Sequence, residues 1–593
     1  MAIQFPSFGG RTLVFPGVYS SIIPQTNLPN ANATPPILLI GSAAGGKYNT
    51  PYTFSSWSDL LTFARGGNIA NYIPYFTQPS PVAGVNVSNN IIFINVSHNF
   101  PSTLTVNTTL AGSYVVLAAA NPGAPSNLLN IQIAANSEYS VAMDVTLIDG
   151  YSNAAVSGVG LGVPFLLAYN GSASSGVTYN ITATEFVLSS PNPGESFTFS
   201  LGAFSTMSQL VTAINETGVY EAVLFSSTDG NLPTSAWSES YATLPSAPIA
   251  LSPPFFGQLN YAAVVVGLPD FIYWVQNIAN SLVSIGWINA SANAWPLVTM
   301  GVTYFTGGLT VEPQISDYAN GFATALNVPA WIVWCDSDNY LVKLLGAEHA
   351  KQASQAGVGG YRRFITGSML GATPAQAIEV ASALSSKETT FVYPGLKVIN
   401  NTTQTPQVIS GHAASAMVAS FFAGQYPSQS IINVPLNATG VEQSLTAAQI
   451  QQLLSAGVMV LAQRLTNSAP SVVQDVTTWQ TDSNPVNVFN MLVGAAQWTA
   501  YTLNNSLQKY IGQPSSPQTL ANLQQDVKKT LNALIYSTSN PIGVLASWDP
   551  NSLQVSYNGN TQSYNVSVEV QLINEGNYVL ITLGTSAYGA TNV

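Results

Sequence analysis

ILLIGSAAGGKYNTPYTFSSWSDLLTFARGG, residues 37–67, is the stretch that decides the fold of the first part of this chain. The apolar run Ile37 to Ile40 predicts a strand, and the glycine-rich residues Gly41 to Gly46 predict a turn after it. Ser56, followed three residues later by Asp59, is a helix start signal, and a pair of glycines closes the helix. The stretch therefore predicts a strand, a turn and a helix in succession.

The turn also matches most of a phosphate-binding motif. Gly41 to Tyr48 fits G-x-x-x-x-G-K, but Tyr48 stands where a Ser or Thr is needed to bind Mg²⁺. The residues that follow, Asn49 to Pro51, do not start a helix, so a phosphate would find no helix N-terminus. The sequence therefore predicts a plain glycine-rich turn, with no bound nucleotide and no other cofactor.

The composition narrows the class of protein. At about 150 residues per domain, the 593 residues suggest roughly four domains. The chain has 13 Lys and Arg against 25 Asp and Glu, a net charge of −12, which argues against binding to nucleic acid or to an anionic membrane face. The single cysteine, Cys335, excludes an internal disulfide framework and a cysteine-based zinc site. Only 6% of the residues are charged, which indicates a surface covered by copies of the same chain, or use at low pH.

No stretch predicts a membrane anchor or an export signal. The start, MAIQFPSFGGRTLVFPG, lacks a cationic region followed by an apolar one. The most apolar stretch, Tyr261 to Val275, is interrupted by Pro269 and Asp270 and is shorter than the roughly 20 residues of a membrane span. We expect a protein that is soluble when made.

Charge divides the chain into a middle and two flanks. Between Gly66 and Val342 there are 14 acidic and no basic side chains, whereas the remainder carries 13 basic and 11 acidic ones. The middle is rich in Ser, Thr, Asn and Gly, and three short alternating runs in it predict strands of a sandwich: Asn90 to Val96, Thr103 to Thr109 and Asn180 to Leu188. Either the composition of a polar β-rich domain has drifted, or the middle faces a different environment, such as the outside of a particle.

Helix signals concentrate in the flanks. Thr373 to Gln376 is a capping box with proline at the first helical position, and Thr446 with Gln449 opens a helix that a glycine closes. Ser516, followed by proline, opens an amphipathic helix that extends to about Tyr536. One apolar helix face precedes it: Phe489, Leu492, Val493, Ala496, Ala500, Leu503 and Leu507.

Both ends of the chain contain extended segments. Tyr564 to Leu572 alternates apolar and polar residues, which predicts a strand with one buried face. After a turn, Tyr578 to Leu583 is apolar on both faces, which is typical of a strand inside a sheet. Near the N-terminus, Arg11 to Phe15 and Val18 to Ile22, separated by a Pro-Gly pair, predict a second extended arm.

Few residues suit catalysis. The chain has neither a G-x-S-x-G elbow nor a papain-like cysteine motif, and its histidines are scattered: His98, His349 and His412. Cys335 follows the buried run Trp331 to Trp334, and His349 lies on a predicted helix, so the pattern favours a packed thiol and a hydrogen-bonded imidazole over a catalytic pair. Asp336 and Asp338 follow the same strand, where ligands of α/β sheets collect, and can bind a cation; a helix cap is the favoured role of Asp338.

Five stretches together resemble contractile tail sheath proteins, the family of phage and archaeal virus tail sheaths and of R-type pyocin-like contractile injection systems. They cover about the first 80 residues and about 290 residues at the end, in the family's order. The stretches are FPGVYSS with residues 37–67; TYFTGGLTVEPQISDYANGFATALNVPAWIVWCDSDN, with Gly307 and Gly308; RRFITGSMLGATPAQAIEVASAL to FVYPGLKV; GVEQSLTAAQIQQLLSAGVMVL; and QKYIGQPSSPQTLANLQQDVKKTLNAL with Tyr564 to Leu583.

The resemblance implies an α/β plus β fold: an α/β core domain, an α+β C-terminal domain and an inserted outer domain resembling a β-sandwich. The implied domains are an N-terminal linker arm (1–22), the N-terminal part of the core (23–85), the inserted β-rich domain (86–300), the sheath core (301–480) and the C-terminal domain with its terminal linker strand (481–593). Sheath proteins carry variable domains at the insertion point, which suits a middle that matches nothing else. The family's α/β domain has the shape of subtilisin without protease activity, so we expect no enzyme, no catalytic residue and no metal.

The implied function is structural. Many copies form a helical sleeve around a tube, and the sleeve shortens to drive the tube through a cell envelope. The resemblance implies the chain itself, the tail tube protein, and baseplate and terminator proteins as partners, with no nucleic acid and no membrane insertion. It implies a location in the virion tail, assembled in the host cytoplasm and extracellular after release.

The resemblance and the terminal patterns together assign two sets of interface residues. Arms exchanged between subunits are expected at Arg11, Leu13, Phe15, Val18, Tyr19, Ile22, Val566, Val568, Val570, Val579, Ile581 and Leu583. Lysines that can face an acidic tube, or equally a solvated helix face, are Lys509, Lys528 and Lys529.

Two other functions stay open from the sequence. A surface-layer or adhesin-like protein is also β-rich, low in charge and self-associating, but it requires an export signal and gives no reason for the helical flanks. A hydrolase would use the α/β domain, with Cys335 or a serine as nucleophile. Electron microscopy separates the three as striated tubes, a flat lattice or dispersed particles.

Overall fold

The computed structural model describes residues 36–228, 230–238, 247–290, 294–355, 360–400, 404–427, 429–463, 468–537, 540 and 542–574. Two short N-terminal strands, β1 (Ser7–Phe8) and β2 (Arg11–Thr12), are also described and pair antiparallel. Eight predicted arm residues lie outside the described residues: Leu13, Phe15, Val18, Tyr19, Ile22, Val579, Ile581 and Leu583.

The first part of the core contains the predicted strand, turn and helix, with a further strand that was not predicted between the turn and the helix. Its elements are β3 (Ile37–Gly41), β4 (Pro51–Phe54), α1 (Trp57–Ala64), α2 (Asn68–Thr77) and β5 (Ile91–Asn95). The predicted start of α1 is confirmed, because the Ser56 hydroxyl accepts a hydrogen bond from the Asp59 N–H at 3.1 Å. The glycine-rich turn is followed by strand β4. No helix starts there, as was predicted for a turn that is not a phosphate-binding loop.

Residues 98–311 form a large insertion in this core. Its strands are β6 (His98–Phe100), β7 (Thr103–Asn107), β8 (Tyr114–Ala119), β9 (Leu129–Ala135), β10 (Met143–Asp149), β11 (Ala155–Leu161), β12 (Phe165–Tyr169), β13 (Thr178–Ile181), β14 (Glu185–Ser189), β15 (Phe197–Ser200), β16 (Tyr220–Leu224), β17 (Ile249–Ala250), β18 (Ala262–Val264), β19 (Val283–Asn289), β20 (Met300–Tyr304) and β21 (Leu309–Val311). Two helices accompany them: α3 (Met207–Asn215) and α4 (Leu268–Asn277).

The core resumes after the insertion and leads into the C-terminal elements. The core elements are α5 (Ile315–Ala325), β22 (Ile332–Cys335), α6 (Tyr340–Ala353), β23 (Arg363–Gly367), α7 (Pro374–Leu384), β24 (Thr389–Tyr393), β25 (Leu396–Ile399), β26 (Pro406–Ile409), α8 (Gly411–Gly424), β27 (Gly440–Val441), α9 (Ala447–Ser455), β28 (Val458–Ala462) and β29 (Ser471–Val472). The last elements are α10 (Pro485–Val488), α11 (Asn490–Leu507), α12 (Pro517–Ala533), β30 (Leu545–Trp548), β31 (Gln554–Asn558), β32 (Ser563–Ser567) and β33 (Val570–Leu572).

An eight-stranded sheet organises the core, in the order β29-β28-β24-β23-β22-β3-β5-β4. The strands from β28 to β5 are parallel, and the two edge strands are antiparallel to their neighbours. Helices α1, α2 and α8 pack on one face and α5, α6 and α7 on the other, so the sheet is buried on both sides. The chain proceeds from β3 toward β5 but from β22 toward β23, so β3 and β22 flank the point where strand order reverses.

One predicted strand belongs to a different part of the molecule. The run Asn90 to Val96 was expected in the outer sandwich, and this prediction is wrong, because β5 pairs in parallel with β3 inside the core sheet. All five residues of β5 are buried. Its unbroken apolar run suits a strand covered on both faces.

The insertion is built on antiparallel sheets around two apolar cores. One core gathers residues of β8, β9, β10, β19 and α4, and the other gathers residues of β12, β13, β14, β16 and α3. The predicted strand at Thr103 to Thr109 is confirmed as β7, whereas the run Asn180 to Leu188 is a hairpin of two strands, β13 and β14. Helices α3 and α4 were not expected. The mixed α/β, multi-sheet class of fold is confirmed.

The C-terminal strands cover helix α12. Five alternating side chains pack against the core that contains Leu523, Val527 and Leu531: Tyr564, Val566, Val568, Val570 and Leu572. The predicted buried face is therefore confirmed, but the single strand is not, because β32 ends at Ser567 and β33 begins at Val570. Strand β32 pairs with β31, and β33 pairs with β30, giving two separate two-stranded sheets.

Candidate assembly surfaces

The position where open α/β sheets hold their ligands is filled by the chain's own side chains. Asp336 follows β22 and is fully buried. Its Oδ2 accepts a hydrogen bond from the Ser42 N–H at 2.7 Å, and its Oδ1 accepts one from the Tyr318 hydroxyl at 2.7 Å. Gly41 makes room for it, since a Cβ there would lie 2.7 Å from the Asp336 Cγ. The crevice between β3 and β22 is therefore closed by a carboxyl group that burial keeps at a raised pKa of about 6.

The predicted cation site is not supported. Both Asp336 oxygens have protein partners, and no cluster of three or more metal-binding side chains occurs among the described residues. The favoured cap role of Asp338 is also wrong. Asn339 caps α6 instead, with its side chain accepting a hydrogen bond from the Leu341 N–H at 2.9 Å.

The thiol and the two core imidazoles are packed groups. The predicted packed thiol is confirmed: Cys335 is buried, and burial raises its pKa to about 12. His349 lies 2.9 Å from an Arg362 nitrogen, and burial, followed by this guanidinium, lowers the pKa of His349 to about 3. His412 stacks on Trp334 with ring centroids 4.9 Å apart, and burial lowers its pKa to about 3. Neither imidazole is suited to accept a proton near neutral pH.

The glycine-rich turn joins the core to the insertion. Asn121 of the insertion accepts a hydrogen bond from the Gly46 N–H at 2.5 Å and donates one to the Phe63 carbonyl at 2.9 Å. Gly123, with φ +119°, lies so close to the turn that a Cβ would stand 1.8 Å from the Ala44 oxygen. Among the backbone N–H groups that a phosphate loop would offer to a ligand, that of Gly46 holds the insertion, and those of Ala43, Ala44 and Gly45 are bonded within the core.

An ion pair also holds the insertion against the core. Arg65, at the end of α1, lies 2.6 Å from Asp149 at the end of β10, and both side chains are largely shielded, with 11% and 1% exposed. Burial lowers the pKa of Arg65, and the charge of Asp149 opposes that shift. The Asp149 oxygens also accept hydrogen bonds from Ser152 and from the Tyr151 N–H. The pair fixes the insertion against the core by charge and geometry together.

We expect Asp149→Ala to destabilise the protein by about 3 kcal/mol, because it leaves the Arg65 guanidinium buried without its partner. Urea unfolding followed by tryptophan fluorescence measures this difference. Glu138→Ala is the matched control, since Glu138 is an exposed acid of the same insertion. A loss no larger than that of Glu138→Ala would show that the Arg65 to Asp149 pair contributes little.

A two-stranded ribbon carries the chain between core and insertion, and we call β6 with β21 the neck ribbon. One of its faces is bonded to the turn: Asn99 donates to the Ala43 carbonyl at 3.0 Å, and Thr310 donates to the Ala44 carbonyl at 3.2 Å. On the other face Phe100 lies opposite Leu309 and His98 lies opposite Val311. His98 stacks on Tyr48 with ring centroids 3.9 Å apart and lies 3.0 Å from Asp317, so this end of the face contacts the core. Phe100, Leu309 and Val311 rank among the exposed large apolar residues.

The C-terminal region contains the remaining predicted interface residues. Lys509 forms an ion pair with Asp526 at 2.6 Å, and this contact, with a hydrogen bond from Tyr510, lowers the pKa of Asp526. Lys529 is exposed and Lys528 half-buried on α12. Strand β33 pairs with β30 on one side, and no described strand pairs with its other side. Of the predicted arm residues, Val566, Val568 and Val570 pack against the apolar core that contains residues of α12. Arg11 lies in β2.

Within the described part of the chain, no helix is both long enough and apolar enough to span a membrane.

Comparison with known proteins finds similarity to tail sheath proteins in sequence and in fold. The chain shows 24% identity over 485 residues, 78% of each sequence, to a protein of Enterococcus phage phiEF24C named "Putative tail sheath protein". The sheath tail protein Lin1278 of Listeria innocua has the same fold, with a TM-score of 0.58 and 13% identity over 92% of this chain and 94% of that one. The sheath tail protein of Desulfitobacterium hafniense aligns over 91% of this chain and 93% of that one, with a TM-score of 0.48 and 13% identity. No family model matches the sequence. The resemblance to tail sheath proteins is confirmed.

Proposed function

We propose that this chain is the structural subunit of a helical contractile tail sheath that surrounds a tail tube and shortens to drive it through a cell envelope. The observation that carries the proposal is the similarity over nearly the whole length: 78% of the chain in sequence and 92% in fold correspond to tail sheath proteins. The filled crevice at Asp336 supports a role without catalysis. The tail tube, baseplate and tail terminator proteins are the proposed partners, and the virion tail is the proposed location.

The C-terminal sheets support the linkage that we propose between subunits. Sheets of two strands have little stability of their own, and an unpaired strand edge is a template for another chain. The open side of β33 can accept an extended segment from a neighbouring copy, such as residues 11–22 or 578–583. Main-chain hydrogen bonds made in this way hold subunits together while each one turns as a nearly rigid body. No nucleotide is consumed in this scheme.

Electron microscopy of the purified protein tests the proposed function. We expect striated tubes, because a head-to-tail contact that does not close into a ring generates a helical array. Shortening of these tubes on mild heating or at high salt is expected if the array is metastable. A flat lattice would favour a surface-layer protein, and particles that stay dispersed at all concentrations would contradict the sheath assignment.

A further inference from the structure

The insertion consists of two lobes that the chain connects at two places. The outer lobe, residues 165–264, contains β12 to β18 and α3 around one apolar core, and the rest of the insertion forms the inner lobe around the other. The chain enters the outer lobe through residues 162–164 and leaves it through residues 265–267, and we call these two segments the lobe joint. A small apolar cluster spans the lobe joint, with Tyr139 and Ala142 from the inner lobe. The outer lobe is therefore a domain inserted into a domain.

The two segments of the lobe joint meet at Gly162. The Gly162 carbonyl accepts hydrogen bonds from the N–H groups of Val266 and Gly267, at 2.9 and 3.0 Å. The Gly162 N–H donates to Oδ2 of Asp270, in the first turn of α4, at 2.9 Å. No side chain fits at this position, because a Cβ on Gly162 would lie 2.0 Å from the Trp295 ring. The Asp270 carboxyl group therefore lies at the point where the outer lobe is attached.

The surroundings of the Asp270 carboxyl group suit its neutral form. The residue is fully buried, and its Oδ1 has no hydrogen-bond partner. Besides the Gly162 N–H, the groups that face the carboxyl group are the hydroxyls of Ser226 and Thr228, which follow β16 of the outer lobe and lie 2.9 Å from each other. No Lys or Arg occurs between residues 66 and 342, so the insertion has neither residue to pair with an ionised Asp270. A buried carboxylate without a cation is costly, whereas a neutral carboxyl group is not.

We propose that Asp270 is a proton-dependent latch that fastens the outer lobe to the inner lobe. With the proton bound, the neutral carboxyl group accepts from the Gly162 N–H through Oδ2 and can donate from Oδ1 to a hydroxyl oxygen of Ser226 or Thr228. Without the proton, only these dipoles stabilise the buried charge, so the lobe joint opens more often and lets water reach it. The latch is a property of the single chain and does not depend on the proposed function.

The pKa of Asp270 gives the direction of the effect. Burial raises this pKa from 3.8 to about 6, while the two hydroxyls and the Gly162 N–H oppose the shift. When the lobe joint opens, the carboxyl group reaches water and its pKa returns to the ordinary value of about 4. The closed form therefore binds more protons than the open form between these two values, and opening becomes more frequent as the pH rises through them.

Hydrogen exchange of the purified full-length protein measures the opening of the lobe joint. The amide protection of Gly162, Val266 and Gly267, corrected for the intrinsic exchange rate at each pH, should fall about tenfold from pH 5 to pH 7.5. At pH 7.5 these amides should also exchange faster than those of β9 in the inner lobe and β12 in the outer lobe, because both lobes stay folded while the lobe joint opens. Protection that does not change with pH, or equal exchange in the lobe joint and the two strands, would overturn the latch.

Two neutral variants assign the effect to one carboxyl group. Asp270→Asn can accept from the Gly162 N–H and donate to the hydroxyls at any pH, so its protection should not depend on pH. Asp144→Asn is the matched control, since the Asp144 carboxylate accepts from the Gly160 N–H at 2.9 Å beside the lobe joint; it should keep the fall of about tenfold. A fall that persists in Asp270→Asn, or disappears in Asp144→Asn, would overturn the proposal. If Asp270→Asn does not fold, the wild type decides alone, and a fall of less than about threefold would overturn the latch.

Discussion

Deleting residues 1–22 is expected to leave a folded monomer that no longer polymerises. The described apolar cores of the molecule are built from residues that follow Pro36, so the deletion removes none of their side chains. In the proposed sheath, however, it removes the segment that completes a neighbour's sheet, and with it the main-chain hydrogen bonds between copies. Circular dichroism and sedimentation measure the two outcomes: an unchanged spectrum and melting temperature, and loss of all material larger than a monomer.

A shorter deletion provides the control. Removing residues 1–6 spares the predicted arm from Arg11 to Ile22 and should leave assembly intact. Removing residues 578–593 takes away the other predicted arm, including Val579, Ile581 and Leu583, and should abolish assembly as the larger N-terminal deletion does. If the protein without residues 1–22 still forms tubes that contract, strand exchange through the N-terminal arm is wrong.

The second large effect is the loss, as the pH rises from 4 to 7, of the stability that two buried carboxyl groups contribute. The lowered pKa values of His349 and His412 act in the opposite direction over this range, so the carboxyl contribution is measured by comparing variants. Burial raises the pKa of Asp270 in the insertion and of Asp336 in the core from 3.8 to about 6. Between these values each of the two carboxyl groups binds more protons in the folded protein than in the unfolded chain, so its contribution to stability falls with increasing pH. The contribution is fully present below pH 3.8 and is lost as the pH rises through about 6. A shift of this size corresponds to about 3 kcal/mol for each group.

Neutral variants isolate the two carboxyl groups. We expect Asp270→Asn and Asp336→Asn each to gain about 3 kcal/mol relative to the wild type between pH 4 and pH 7, because only the wild type must ionise a buried group. Urea unfolding at several pH values measures this gain. It is taken from the unfolding transition of the insertion for Asp270→Asn and from that of the core for Asp336→Asn. Glu138→Gln, at an exposed position, should show no such trend. A difference between variant and wild type that is independent of pH would contradict the raised pKa values.

Signals that act within a few residues were readable from the sequence. The capping boxes at Thr373 and Thr446 are confirmed by reciprocal hydrogen bonds with Gln376 and Gln449. Helix α12 begins after Ser516 as predicted, although it ends at Ala533, before the expected Tyr536. These features depend on local hydrogen bonds, which the order of residues specifies directly.

Features that depend on distant partners were not readable. The run of β5 has the length of a sandwich strand, and only its pairing with β3 assigns it to the core. Helix α4 did carry signals that were overlooked: Pro269 and Asp270 in its first turn, and buried Phe271 and Trp274 three residues apart. The contacts between the core and the insertion could not be inferred, because Asn121 is 75 residues from Gly46 and the Arg65 to Asp149 pair spans 84 residues.

The amide of Asn121 sets a condition for any attempt to replace the outer part of this molecule. A foreign domain grafted between the neck strands would keep Asn99 and Thr310 but would remove Asn121. The N–H of Gly46 and the carbonyl of Phe63 would then lose their shared partner. A successful chimera therefore has to bring its own side-chain amide to that position, together with a residue lacking a side chain where Gly123 now stands.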